Sequence, residues 1–282
     1  MDFAPAFPVE QTVRTRSSVR TYEQRPLSDE LKAQIRAYFS TLSNPFSVPV
    51  SFFLLETAAA PGGEKLGTYG VIKGADCFIG ATVPNDALAL EALGYSFEKL
   101  ILYITTLGLG TCWLGGTFKR SAFASALEVK ENELFPAISP VGYPLGKKRV
   151  TESVMRWMAK ADQRKDWHSL FFFRDFSHPL SEAEAGDYAF PLEMLRLAPS
   201  ATNRQPWRVV LDFNALHFYR EQVPGASRLP SLDFTHVDLG IAACHLHLAA
   251  LEKGLTGSFQ KLPDPVIFTP EKLKYAFSWV IS

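Results

Sequence analysis

The chain has 282 residues, of which 47% are hydrophobic and 21% charged, with 29 basic and 29 acidic side chains. This is an ordinary globular composition, enough for one large or two small domains at about 100–200 residues each. Because the charges cancel, no global field recruits nucleic acid or an anionic membrane, so any anion site has to be built locally.

The start, MDFAPAFPVEQ, carries an acid at position 2 and two prolines, and does not read as a secretion signal. Cys77, Cys112 and Cys244 are odd in number and sit in apolar segments, so we expect buried, reduced thiols, no metal site and a cytoplasmic protein. No apolar run approaches the roughly 20 residues that span a bilayer.

The run RTRSSVRTY, 14–22, places Arg16, Ser18 and Arg20 two apart. In an extended segment they share one side, and guanidinium forks with a hydroxyl suit a phosphate; a solvated basic arm is the plainer reading. A helix follows at 25–39 with Ser28 as its N-cap, then a β-rich run, VPVSFFLLE, at 48–56. AAAPGGEKLGTYG, 58–70, reads as a lid or a flexible loop. Helix 86–107 has few charges and is expected to be buried. It leads into LGLGTCWLGGTF, 107–118, whose Gly115 and Gly116 would let a backbone approach a flat ligand or simply make a turn.

Segment 148–176 is basic, then aromatic, and reads as a mostly helical connection. A second capped helix begins at Ser181. LAPSATNRQPWRVV, 197–210, offers Ser200, Thr202, Asn203 and Gln205, donors and acceptors that suit a heterocycle edge; it also reads as a helix-to-strand loop with Trp207 in the core. A second buried helix covers 238–253. Its His245 and His247, two apart, do not share a face and are expected to pack in the core or at its rim. No P-loop, G-x-G-x-x-G, HExxH, CxxC or G-x-S-x-G is present.

The chain repeats itself. RPLSDELKAQIRAYF answers HPLSEAEAGDYAFPLEML, VPVSFFLLE answers QPWRVVLDF, and LGYSFEKLILYITTLGLGTCW answers LGIAACHLHLAALEKGLTGSF, in the same order. Gly94 and Gly108 match Gly240 and Gly254 at one constant offset. We therefore expect a first half at 1–147, a basic helical linker and crossover at 148–176, and a second, truncated half at 177–282.

RSSVRTY with a following PLS, APSATNRQPW, GLGTCWLGG, and VGYP with a basic stretch together resemble the flavin-dependent nitroreductase family, in particular its fused, single-chain TM nitroreductase-like type. The resemblance covers most of the chain and implies an α+β fold, with mixed, mostly antiparallel sheets flanked by helices and two halves fused as a pseudo-dimer. In the family the arginine start of one subunit and the Pro-Ser-Asn loop of the other hold one flavin. Here the first half keeps the start and the second keeps the loop, so the resemblance implies one flavin mononucleotide site per chain.

By that resemblance Arg16, Ser17, Ser18 and Arg20 hold the phosphate, the ribityl chain and one ring edge; Ser17 stands where the family has a basic residue or histidine. Pro199, Ser200, Ala201 and Asn203 line the ring, and Gly115 and Gly116 approach its N5. Arg164 and Lys165 compete with Lys147, Lys148 and Arg149 for the phosphate. No side chain is assigned as catalytic, since the flavin N5 carries the chemistry, and Arg20 is the candidate stabiliser of charge at N1 and O2. The implied activity is an NAD(P)H oxidoreductase that passes electrons through FMN to a small organic acceptor in ping-pong fashion. A monomer with an internal pseudo-two-fold suffices, a further dimer staying open. The alternative is a non-catalytic flavin-binding or degenerate scaffold of the same fold.

Overall fold

The computed structural model describes residues 3, 5–57, 66–146, 163–222, 232–263, 265 and 268–282. The first half runs α1 (Val9–Thr15), α2 (Asp29–Phe39), β1 (Ser51–Glu56), β2 (Cys77–Pro84), α3 (Ala89–Thr106), β3 (Gly110–Thr111), α4 (Arg120–Ala126) and β4 (Glu133–Gly142). The second runs β5 (Phe171–Phe173), α5 (Glu182–Ala185), α6 (Ala189–Arg196), β6 (Trp207–Asp212), β7 (Ala215–Glu221), α7 (Phe234–Glu252), β8 (Gly257–Gln260) and β9 (Leu273–Ile281).

The two sheets share one plan. The first has strand order β1-β2-β4-β3 and the second β5-β6-β7-β9-β8. Apart from β5, every pairing is antiparallel and each half places its strands in the same sequence. β5 adds in parallel to the outer edge of β6, with Phe171 opposite Val209. Residues 163–176 thus form a 3-10 turn (Trp167–Ser169) and a strand, not the expected helix, because the run LFFF is β-prone and buries Leu170 and Phe171 in the core. Residues 148–162 lie outside the described residues.

The helices repeat as well. Ser28 caps α2 through Leu31 N–H, and Ser181 closes a capping box with Glu184. α3 and α7 cross in the middle of the molecule, both buried along most of their length. At the crossing Gly94 lies on the carbonyl of Val237, and Gly240 on the carbonyl of Glu91. Val237 and Glu91 are related by the same offset as the two glycines, so the contact is reciprocal, as across a two-fold axis. No Cβ fits at either glycine, which is what lets the backbones touch. Gly108 and Gly254 end the two helices at an identical φ of +73°. Their N–H groups donate to Thr105 and Leu251, and the next residues to Ile104 and Ala250, equivalent carbonyls in each half.

By length and composition α7 is apolar enough to cross a bilayer, contrary to the sequence reading, yet most of it is buried inside the fold. A helix apolar on every side needs cover on every side, and α3, α6 and the second sheet supply it. Cys77, Cys112 and Cys244 are free and buried; burial pushes the Cys77 thiol up to about 12.

Candidate functional site

The first wall is the segment after α1. It runs extended: Val19 N–H donates to Thr111 O at 2.8 Å, Lys73 N–H to Arg20 O at 2.9 Å and Tyr22 N–H to Lys73 O at 2.9 Å. Val19 packs so closely on Gly110 that a Cβ there would lie 2.8 Å from it. Arg16 keeps only 9% of its side chain exposed, its Nε 3.8 Å from the fully buried Glu98 carboxylate. Arg16 Nε and Arg20 Nη1 are buried without a hydrogen-bond partner. Ser17 is exposed and Ser18 half-buried.

The second wall is the glycine segment. Trp113 Nε1 donates to Glu98 Oε2 at 2.7 Å. Gly115 faces the ring of Phe234 on α7, where a Cβ would come within 2.6 Å, and its carbonyl accepts from Arg120 Nη2 at 2.5 Å. Arg120 also donates to Phe135 O, and burial lowers its pKa to about 10. Beside Gly116 the space is open.

The third wall comes from the second half. Thr202, Asn203 and Gln205 all take left-handed φ values, 50°, 56° and 48°. Such backbone persists only where its surroundings over-determine it, and here they do. Gln205 N–H donates to Ser200 Oγ at 2.8 Å, and Asn203 Nδ2 to Gln163 O at 2.8 Å. Arg164 Nη2 donates to Leu197 O at 2.9 Å, with Nη1 3.4 Å from Asn203 Oδ1. Lys165 uses its N–H on Gln205 Oε1 and its ammonium on Gln205 O and Glu221. Arg164 and Lys165 therefore brace the loop. Ala201 N–H donates to Asp238 Oδ1 at 2.9 Å, while Asp238 Oδ2 is buried with no partner. Pro199 and Ser200 are half-buried; Ala201 is exposed. Lys147, Lys148, Arg149 and residues 58–65 lie outside the described residues.

Two junctions join these walls. Phe234 and Asp238 stand four apart on one face of α7, so a single helix face touches both Gly115 and Ala201. Glu98 gathers Arg16, Trp113 and His245, whose Nε2 is 3.0 Å away; His245 Nδ1 in turn meets Met194 O, at the end of the helix that leads into the loop. The arginine start, the glycine pair and the Pro-Ser-Asn loop are thus assembled at one place from both halves. Glu98, Asp238, Phe234 and Arg120 were not read from the sequence. For the first two a signal existed, a carboxylate set in a helix with few charges.

The opposite arrangement is closed. Where the second half has its loop, the first has Asn44–Pro45–Phe46, with Asn44 bonded to Val48 O and Phe46 N–H. Phe46 packs among Tyr95, Phe259 and Phe277 at ring distances of 6.3, 5.6 and 5.1 Å. Phe259 is the counterpart of Trp113, and Lys261 stands where the other half has Gly115. His247 lies against Phe259 and Trp279 in the same cluster, hydrogen-bonded to Tyr95.

Residues 8–250 match the family model described as "Putative TM nitroreductase". No curated protein matches the chain. Among solved structures, a "putative nitroreductase (tm1586)" of Thermotoga maritima aligns with 100% of this chain and 97% of its own, at 19% identity and a TM-score of 0.64. A "putative nitroreductase in complex with FMN" from Desulfovibrio desulfuricans, at 22% identity and a TM-score of 0.37, covers 52% of this chain with 95% of its own. An "FMN-dependent Nitroreductase" from Clostridium difficile R20291, at 16% identity and a TM-score of 0.40, covers 49% with 88%. With two sheets of one plan, a reciprocal helix crossing and a match over residues 8–250, the chain belongs to the TM nitroreductase family.

Proposed function

We propose that the protein is an FMN-dependent oxidoreductase with one flavin site per chain, taking electrons from NAD(P)H and giving them to a small organic acceptor by a ping-pong mechanism. The observation that carries this reading is the pair of buried guanidinium nitrogens, Arg16 Nε and Arg20 Nη1, left without hydrogen bonds beside the glycine segment. A buried donor without a partner costs about 1–3 kcal/mol, and an anionic, acceptor-rich ligand would remove that cost. The open space at Gly116 and the exposed Ala201 fit a flat ring approaching backbone.

When bound, FMN would supply the two-electron chemistry. Arg16, Ser17 and Ser18 would hold its phosphate and ribityl chain, with Arg164 as a further cation braced against Asn203. Arg20 would stabilise negative charge at the N1 and O2 edge. Pro199, Ser200, Ala201 and Asn203 would bound the ring from the second half. The two junctions keep these groups in place before the ligand arrives, which lowers the ordering cost of binding. Since one half supplies what the other lacks, a monomer is sufficient.

The test is an absorbance spectrum after adding FMN and desalting, for wild type, Arg20→Ala and Asn203→Ala. We expect about one flavin per wild-type chain, weaker retention in both variants, and bleaching of the wild-type flavin by NADH or NADPH. A chain that keeps its flavin unbleached would be a flavin-binding protein; one that keeps none would be a scaffold of the same fold.

A further inference from the structure

Glu221, at the end of β7, is shared by three cations. Arg208 Nη2 lies 2.8 Å from its Oε2, Lys165 Nζ 3.5 Å from the same oxygen, and Lys272 Nζ 3.3 Å from Oε1. One carboxylate against three cations leaves a surplus of two positive charges in this cluster. Arg208 and Tyr219 are cross-strand partners, and Glu221 follows Tyr219 by two, so Arg208 and Glu221 project from one face of the sheet. Arg208 is nearly buried, its side chain 11% exposed, while Lys165 keeps 33% and Lys272 66%. The two ammonium groups therefore offer unused N–H donors to solvent beside a fixed guanidinium.

Burial first, then the charge of Arg208, lowers the pKa of Lys165, and Lys272 adds to the effect. The Glu221 carboxylate opposes this lowering by its charge and its hydrogen bond. The cluster also touches the candidate flavin loop, since Lys165 Nζ and Arg208 Nη1 both donate to Gln205 O. Gln205 Nε2 in turn lies 3.2 Å from Asn203 Oδ1.

We propose that Lys165, Arg208 and Lys272 form a binding site for a phosphomonoester dianion, which on the reading given above is the 2′-phosphate of NADPH. Its charge matches the surplus, and its oxygens accept from two ammoniums and a guanidinium at once. The placement beside Gln205 would let a nucleotide reach this cluster while its other end lies over the loop. The site would favour NADPH over NADH as the electron donor.

The experiment is a calorimetric titration with adenosine 2′,5′-bisphosphate and with adenosine 5′-phosphate. It uses wild type, Lys272→Ala and Glu221→Gln, each checked by a thermal melt. Wild type should bind the bisphosphate more tightly than the monophosphate. Lys272→Ala, at an exposed position, should weaken the bisphosphate about three- to tenfold and leave the monophosphate unchanged. Glu221→Gln, which removes the carboxylate that the three cations share, should tighten it. A network that merely braces the fold would show equal affinities for the two probes and no response to Lys272, and that result overturns the site. The flavin's own 5′-phosphate has the same chemistry. If Lys272→Ala loses FMN by the same factor and shows no change in its NADPH-to-NADH ratio, the NADPH assignment is overturned. If wild type binds the bisphosphate yet keeps no flavin, the oxidoreductase reading fails while the anion site stands.

Discussion

Replacing Asp238 by asparagine should stabilise the protein, and by more as the pH rises. Asp238 is 3% exposed; one oxygen accepts from Ala201 N–H and the other has no partner. Burial pushes its pKa from 3.8 up to about 8; Asp233 adds to the rise, while the Ala201 bond and Arg204 oppose it. The sign follows from where each state keeps its proton. Above pH 4 the unfolded chain ionises at this residue, whereas the folded chain holds its proton until about pH 8. The stabilising contribution is full below the unfolded pKa. It falls by about 1.4 kcal/mol per pH unit through the window and levels off above the folded pKa. Across that window the loss is about 6 kcal/mol, an upper bound for one carboxyl. An asparagine side chain still offers an oxygen to Ala201 N–H and has nothing to ionise. Urea unfolding of both proteins at pH 5, 6.5 and 8 checks this. The stability gap should widen in favour of Asp238→Asn by about 3–4 kcal/mol from pH 5 to pH 8. Parallel pH profiles would refute the reasoning.

At the helix crossing, Gly94→Ala or Gly240→Ala should each cost about 3 kcal/mol, because the added methyl meets backbone carbonyl and no side chain can yield. Denaturant melts measure this, and the double variant should depart from additivity since both substitutions press on one contact; a loss under about 0.5 kcal/mol would mean the helices slide freely. Phe46→Ala should cost about 2–3 kcal/mol by emptying an aromatic cluster. Flavin retention should stay at one per chain, and a rise to two would show that Phe46 masks a working site.

Much of the frame was legible because it is local. Ser28 and Ser181 announce themselves as caps, and Gly108 and Gly254 as left-handed helix ends. The shared offset of Gly94 and Gly240 held a tertiary fact, the crossing, which composition alone does not carry. The strand at Phe171–Phe173 was hidden because its partner is β6, far along the chain, and an edge addition leaves no local period. Arg164 and Lys165 were readable as basic but not as loop braces, since whether a cation faces a ligand or a carbonyl is decided by packing. Glu98 is one of three charged residues in α3, with Glu91 and Lys99. Its role appears only when Arg16, Trp113 and His245 arrive from three other elements.

The unequal fate of the two clefts follows from joining the halves. In a symmetric dimer every substitution is imposed twice, so a change that fills one cleft fills both. A single chain is released from that constraint. One cleft has kept features that cost stability unless a ligand uses them: unpaired guanidinium nitrogens, left-handed backbone at Thr202, Asn203 and Gln205, and an unpartnered carboxyl oxygen on Asp238. In the other, Ser47 alone of residues 44–47 takes a left-handed φ. Phe46, Phe259 and Phe277 pack there, and the side chain of Asn44 bonds within its own loop. Apolar packing repays burial without any ligand, whereas strained and unsatisfied groups do not. Apolar packing in one cleft thus offsets the cost of strained and unsatisfied groups in the other, and on the proposed reading that asymmetry, more than any single residue, marks the arginine-and-loop side as the binding side.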